Sequence, residues 1–197
     1  MRRWILGPLL VLNVAACSSF DAAEPTPADA GASCVSASVK SSTGASFQLA
    51  EGGEWSNPDG AIEADGVFAS TNTLGKDVRS RYLGLVALGL SIPEGASVQG
   101  IAVTVVRGSA GGGVVDESVR LVRANDPAGD DRKNILPWPP SPAPIDYGSP
   151  TDLWGVDWTR EDVVSPGFGV AVAARNDANS GESARIDGIR LTVYYCP

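Results

Sequence analysis

The stretch from Tyr82 to Arg107 constrains the fold of this chain more than any other part of it. It reads YLGLVALGLSIPEGASVQGIAVTVVR, two apolar runs separated by Ile92-Pro93-Glu94-Gly95. Proline fixes its own φ and pushes the residue before it into the extended region, and glycine permits a left-handed backbone, so the chain must turn here. We therefore predict two adjacent strands at the centre of a β-sandwich.

Other apolar runs in the chain also have the period of a half-buried strand. Ile101, Val103 and Val105 alternate with other residues after the turn, and the same alternation recurs at 168–172 and 189–195. A period of two places one row of side chains on the core face. These runs are short and bounded by turn residues, which predicts an all-β, antiparallel fold. One short helical turn is expected near 159–164, where Thr159 caps a helix with Asp162 at its third position.

The first residues have the pattern of an export signal. Arg2 and Arg3 precede an apolar segment, Trp4 to Val14, which runs into Val14-Ala15-Ala16-Cys17. The apolar segment is too short to span a bilayer, and the small residues before the cysteine are typical of a cleavage site. The tetrapeptide resembles the lipobox of bacterial lipoproteins, in which Leu is most frequent where Val14 stands here. An ordinary secretory signal with an incidental cysteine is the alternative.

The lipobox resemblance implies a division of the chain and an address for it. Residues 1–16 would be a signal peptide that is removed, and Cys17 would carry fatty acids such as palmitate, which together anchor a protein stably to a membrane. Ser18, in place of Asp, favours the outer membrane over the inner one in the sorting rule of these lipoproteins. Residues 17–33 are rich in Ala, Ser, Pro and acid, which predicts a disordered tether. The folded domain then spans 34–197, in the periplasm or on the cell surface.

Cys34 and Cys196 lie at the two ends of this domain. Because an exported protein folds in an oxidising compartment, the sequence predicts a disulfide that joins the first and last strands. Two unpaired thiols are the alternative.

Composition excludes several classes of function. The formal charge of −8 makes a poor surface for nucleic acid, and the chain contains no histidine, the commonest general base and transition-metal ligand. No Gly-x-Ser-x-Gly elbow and no Ser-x-x-Lys frame occurs, so we predict that the protein is not an enzyme. A glycosidase with paired carboxylates is the remaining catalytic alternative, with Asp116, Glu117 and Asp157 as its candidate acids.

Three segments between the apolar runs invite functional interpretations. The Pro-rich segment 124–150 is a long connection of the kind that is usually functional or mobile.

The glycine-rich run GSAGGG, Gly108 to Gly113, leads into another strand and not into a helix. We therefore predict a hairpin loop and not a phosphate site. Residues 177–182, and 125–126 with 130–131, offer oxygen ligands for calcium. Solvated acidic turns explain them as well, and no cofactor is predicted.

Four aromatic residues follow or lie within the Pro-rich segment. They could form a platform on which sugar rings stack, as possible ligand-binding residues, or they could pack at the open end of the sandwich beneath the Pro-rich segment. They are Trp138, Tyr147, Trp154 and Trp158.

A resemblance covers roughly residues 55–195. It is carried by WSNPDGAIEADG, LGLSIPEGASVQGIAVTVVR, DESVRLV, YGSPTDLWGVDWTREDV, FGVAVAA and ARIDGIRLTVYY. This succession resembles a jelly-roll-like β-sandwich module of uncharacterised secreted bacterial proteins and phage structural proteins, and it implies that fold and an extracytoplasmic setting. We thus expect a non-enzymatic envelope lipoprotein whose sandwich is a binding, structural or adhesion module. Its partners are the membrane, through the lipid anchor, and an envelope protein or glycan; a carbohydrate-binding module is the alternative.

Overall fold

The computed structural model describes residues 34–40, 43–45 and 52–197. The predicted signal peptide, the candidate lipidation site Cys17 and the predicted tether lie outside the described residues.

The domain is built almost entirely from β-strands. A short 3₁₀ turn at Pro58–Ala61 and helix α1 (Arg160–Val164) are the helical elements of the described part of the chain. The strands, in chain order, are β1 (Val35–Lys40), β2 (Thr43–Ala45), β3 (Trp55–Ser56), β4 (Ala69–Thr71), β5 (Leu83–Val86), β6 (Ser97–Gly108), β7 (Val114–Arg123), β8 (Asp126–Ala128), β9 (Ala143–Gly148), β10 (Gly169–Asn176) and β11 (Arg185–Cys196).

These strands form two antiparallel sheets. The six-stranded sheet has the order β3-β4-β11-β6-β9, with β1 also paired to β11, and the five-stranded sheet has the order β2-β5-β10-β7-β8. Eight strands, β1-β11-β6-β9 opposite β5-β10-β7-β8, follow the strand order of a jelly roll. The prediction of an all-β sandwich is confirmed.

The turn at Ile92 to Gly95 is present, but the strands on either side of it are not neighbours. Gly95 has a φ of +79°. β5 lies in the five-stranded sheet and β6 in the six-stranded sheet, so the prediction of adjacent strands is wrong. Alternation shows which face of a strand is buried and says nothing about its partner. For the same reason GSAGGG is not a hairpin loop, because it joins β6 to β7 in the opposite sheet.

The core lies between the two sheets. Ile101, Val103 and Val105 of β6 are completely buried, as the alternation predicted. They contribute to the same core cluster as Val170 and Val172 of β10. Full burial of one such side chain stabilises the fold by about 1.5–3 kcal/mol, so this central row is a major source of stability.

β7 changes its core-facing row at Glu117. Ser118 pairs with Ala173 and Asp116 with Ala174, so Glu117 is the extra residue of a β-bulge. Before it, the even-numbered Val114 and Asp116 point inward, whereas after it the odd-numbered Val119 and Leu121 do. A bulge re-aims the side chains around it. Here it turns Asp116 into the core and Ser118 to the outer face of the sheet.

A disulfide joins the two ends of the sandwich. Cys34 and Cys196 are bonded across 162 positions of sequence, and the neighbouring Val35 pairs with Tyr195 in the ladder between β1 and β11. The predicted bridge is confirmed. Closing so long a loop lowers the entropy of the unfolded chain, which the chain-entropy model equates with about 5 kcal/mol of stabilisation.

Helix α1 begins as its sequence predicts. Thr159 Oγ1 accepts a hydrogen bond from the Asp162 backbone N–H at 3.1 Å, and the Asp162 carboxylate accepts one from the Thr159 N–H at 3.0 Å. This reciprocal capping box satisfies two donors that the helix cannot pair internally. The predicted helical turn is therefore confirmed.

Candidate functional site

The four aromatic residues predicted as ligand-binding candidates all lie in the interior. Trp138 and Trp154 have no exposed surface, and Tyr147 and Trp158 are also buried. A sugar ring stacks on an aromatic face that solvent can reach. These residues therefore do not form an aromatic platform, and that alternative is wrong. They pack in the core, as the second interpretation of the sequence had it.

Trp138 and Tyr147 surround a buried carboxylate. The Trp138 indole N–H donates to Oδ1 of Asp116 at 2.8 Å, and the Tyr147 hydroxyl donates to Oδ2 at 2.9 Å. The backbone N–H of Asn134 donates to Oδ2 at 2.8 Å. The Arg107 guanidinium lies 3.0 Å from Oδ1 and 5.0 Å from the centroid of the Trp138 ring. Four groups thus converge on one carboxylate.

Burial and charge act in opposite directions on this carboxylate. Burial raises the pKa of Asp116, and the Arg107 guanidinium and three hydrogen-bond donors oppose that rise. Burial, reinforced by the Asp116 charge, raises the pKa of the Tyr147 hydroxyl. The Tyr147 hydroxyl therefore stays protonated and acts as a donor to Asp116 at neutral pH.

The Pro-rich segment is attached along β7. The Arg132 N–H donates to the Val119 carbonyl at 2.9 Å, and the Trp138 N–H donates to the Val114 carbonyl at 2.7 Å. Between them the Asn134 N–H reaches Asp116. These bonds continue the edge of the five-stranded sheet beyond β8. The segment therefore covers that edge. Among its large apolar side chains, only Ile135 and Leu136 are exposed.

Trp154 and Trp158 fix the chain that precedes α1. The Trp154 indole donates to the Ile101 carbonyl at 2.8 Å, and the Trp158 indole donates to the Leu153 carbonyl at 3.0 Å. Trp158 also meets Phe168 edge to face, with ring centroids 5.3 Å apart. Asp152 accepts two hydrogen bonds from Arg132, at 2.7 and 2.9 Å. The DLWGVDW run is therefore a packing motif.

An open groove of about 520 Å³ lies on the outer face of the six-stranded sheet. Its floor is formed by Thr104 and Val106 of β6 and by Gly188 and Arg190 of β11, and its wall by residues 62–65. Gly188 permits this wall to approach, because a Cβ there would lie 2.8 Å from the Ala64 nitrogen. A second groove of about 270 Å³, lined by Asn57 and Asp59 among others, shares the same wall.

The groove combines charged, hydroxyl and aliphatic groups. Glu63 and Asp65 supply carboxylates and Arg190 a guanidinium. The Thr104 hydroxyl donates to Asp146 at 2.5 Å, and Asp65 accepts from the Val67 N–H at 2.9 Å. Donors and acceptors beside short aliphatic side chains are the usual lining of ligand pockets. The arrangement can hold a polar ligand by hydrogen bonds and by contact with Val106 and Ile62.

The acids named as catalytic candidates do not form a pair. Asp116 lies beneath Trp138 and Tyr147, Glu117 lies 3.2 Å from Arg175, and Asp157 is exposed on the chain before α1. A glycosidase needs two carboxyls that face each other across a cleft. The three named acids therefore do not support the glycosidase alternative.

Four of the acids named as calcium ligands have protein partners. Asp177 lies 2.9 Å from Arg175, and Glu182 accepts from Ser109 and from the Gly111 N–H. Asp130 lies 3.4 Å from Arg132, and Asp131 accepts from the Val119 N–H. Within the described ranges, no three side chains of His, Cys, Asp or Glu are grouped so as to hold a metal ion.

Sequence reasoning missed Arg107 and the groove residues. Arg107 follows Ile101, Val103 and Val105 in the inward row, so the period of two could have placed it in the core. No comparable signal marked Thr104, Gly188 and Arg190, because the groove exists only where residues 62–65 approach β11.

No family model, no curated protein and no solved structure matches this chain. None of the helices in the described ranges is long and apolar enough to cross a membrane.

Proposed function

We propose that this chain is a lipid-anchored protein of the bacterial cell envelope whose sandwich acts by binding and not by catalysis. The anchor is Cys17, at the end of the lipobox-like tetrapeptide, and the outer membrane is favoured by Ser18. The binding surface is the groove formed by residues 62–65 and the outer faces of β6 and β11.

The pairing of the cysteines carries this proposal. The chain has three cysteines, and Cys34 and Cys196 are bonded to each other. Disulfides persist in oxidising compartments outside the cytoplasm. Cys17 is then the one cysteine outside the bridge, and its thiol is the group that a lipobox would supply for acylation.

Binding is supported by how the candidate acids are used. Asp116 is committed to four groups in the core, and Glu117 to Arg175. By contrast, the groove is open to solvent and combines polar and aliphatic groups on the outer face of the six-stranded sheet. A module of this kind serves recognition or assembly at the envelope.

The anchor is tested by expressing the full chain and a Cys17→Ser variant in a bacterium grown with labelled palmitate. We expect label in the parent and none in Cys17→Ser, and the parent to sediment with the outer-membrane fraction. Cys34→Ser is the matched control, because it also removes one thiol and should retain the label. Label in Cys17→Ser, or a parent found in the cytosol, would end this proposal.

A further inference from the structure

The outer face of the five-stranded sheet contains a small polar pocket of about 200 Å³. Its floor is formed by Ser118 of β7 and Ala173 of β10, which are register partners and are both small. The β-bulge at Glu117 turns Ser118 to this face, whereas Val119 beyond it points into the core. The pocket therefore depends on the same irregularity that places Asp116 inside.

Hydroxyl groups line this floor. The Tyr82 hydroxyl donates to Ser118 Oγ at 3.0 Å, so the Ser118 hydroxyl proton is available to another acceptor. Ser80 stands beside them at the same pocket.

The wall of the pocket carries three cationic and two anionic side chains. Arg79, Arg120 and Lys133 face two carboxylates, Glu117 and Asp131.

The two carboxylates are already engaged. Oδ1 of Asp131 accepts from the backbone N–H groups of Val119 and Lys133, at 2.9 and 3.0 Å. Glu117 lies 3.2 Å from the Nε atom of Arg175, which is outside the pocket lining. Arg120 uses one donor on the Gly129 carbonyl. Within the described ranges, no ion pair holds Arg120 or the exposed Lys133 ammonium.

We propose that this pocket binds an oxyanion group, a carboxylate, sulfate or phosphate, between Arg120, Lys133 and the Ser118 hydroxyl. Guanidinium and ammonium groups form the strongest hydrogen bonds with such anions. The volume admits one anionic group with a few attached atoms, so the ligand is either a small free anion or a charged substituent of a larger envelope polymer. This site is separate from the groove on the other sheet.

The test is a titration of the isotope-labelled full chain followed by amide chemical shifts, at constant ionic strength. The probes are inorganic phosphate, inorganic sulfate and glucuronate, with glucose as the uncharged match for glucuronate. We expect saturable shifts at Ser118, Arg120 and Lys133 with at least one anion and none with glucose. Glucuronate binding would identify a sugar-borne carboxylate, whereas binding of phosphate or sulfate alone would identify an inorganic anion.

Three variants separate this site from general charge effects. Lys133→Gln and Arg120→Gln should each weaken binding at least tenfold, whereas Lys76→Gln, which removes a charge bonded to Asn179 outside the pocket, should leave it unchanged. Lys133 anchors its loop through its backbone, so Lys133→Gln is expected to fold normally. No saturable shift with any probe, or an equal loss in Lys76→Gln, would overturn the proposal.

Discussion

The Nη1 atom of Arg107 lies 3.0 Å from Oδ1 of Asp116, and the two side chains are 2% and 0% exposed. Arg107 extends the inward row of β6, and the bulge at Glu117 turns Asp116 toward it. Desolvation offsets much of the attraction in such a pair. The pair instead fixes the position of the Pro-rich segment. Asp116 holds it at β9 through Tyr147, and before β9 through Trp138 and the Asn134 N–H.

Asp116→Asn should destabilise the domain by about 3–5 kcal/mol, because it leaves the Arg107 charge buried without a partner. Tyr147→Phe removes a single hydrogen bond to the same carboxylate and should lower the free energy of unfolding by about 1–2 kcal/mol. Urea denaturation measures both. Arg107→Met with Asp116→Leu removes the buried charge but leaves the donors of Trp138, Tyr147 and Asn134 without an acceptor, so it should be at least as harmful as Asp116→Asn. A double variant that is clearly milder than Asp116→Asn would show that the unpaired Arg107 charge, and not the loss of these hydrogen bonds, dominates the cost.

Release of the Asn134 N–H should also loosen the Pro-rich segment. We expect trypsin to cut after Arg132 or Lys133 at least tenfold faster in Asp116→Asn than in the parent, under conditions where both remain folded. Cleavage at these two sites, identified by mass spectrometry, is compared with cleavage after Lys76, which the variant should not change. Equal rates at Lys133 in the two proteins would show that the carboxylate does not hold this segment.

Removing the disulfide should lower stability without changing the fold. Cys34→Ser with Cys196→Ser should lower the free energy of unfolding by about 2–5 kcal/mol, because the unfolded chain gains freedom. Adding a reductant to the parent should have the same effect and should not affect the double variant. The circular-dichroism spectrum of the folded state should remain that of a β protein in each case.

The Arg132–Asp152 ion pair predicts a pH dependence. The hydrogen bonds from Arg132 lower the pKa of Asp152 below its ordinary value of 3.8. The pair therefore adds stability above that value, and this contribution is lost as pH falls through the lower pKa of the folded state. At pH 7, Asp152→Asn should destabilise the domain by about 1 kcal/mol or less, since the pair is partly solvated.

The difference between the parent and Asp152→Asn should shrink as pH falls below 3.8, because a protonated Asp and an Asn make similar contacts. Urea denaturation at several pH values measures this difference. Glu94→Gln is the matched control, since Glu94 is exposed and has no ion-pair partner within the described ranges. A difference for Asp152→Asn that grows on acidification would contradict the assignment.

Gly188→Ala should disturb the groove wall. The added Cβ would lie 2.8 Å from the Ala64 nitrogen and 3.2 Å from the Glu63 carbonyl carbon. Backbone must shift to admit it, and overpacking of this kind typically lowers stability by about 1–3 kcal/mol. At Gly75 an added Cβ would meet only the Val78 side chain, at 3.6 Å. Gly75→Ala should therefore change the midpoint of urea denaturation little, and a similar effect of the two substitutions would mean that residues 62–65 do not press on β11.

Local signals predicted the local features of this fold. The turn at Pro93-Glu94-Gly95, the buried row on β6 and the capping box at Thr159 each depend on a few consecutive residues, and each is present. The spacing of Cys34 and Cys196 at the ends of the domain likewise predicted their bond.

Features that depend on distant parts of the chain were not predictable in the same way. Period two does not reveal which strand pairs with which, so β5 and β6 were assigned as neighbours although they lie in opposite sheets. The bulge at Glu117 has no marker of its own in DESVRLV. The sequence left open whether the aromatic side chains were exposed or buried, because their partners, Asp116 and the Ile101 carbonyl, are distant in sequence. The larger groove and the pocket also form between parts of the chain that are distant in sequence.

The bond between Cys34 and Cys196 also determines how the domain responds to mechanical load. Tension applied to the chain on either side of the bridge passes through one covalent link, so it does not reach the hydrogen bonds between the strands. A molecule pulled in this way would keep its two grooves and its pocket intact until the disulfide was reduced.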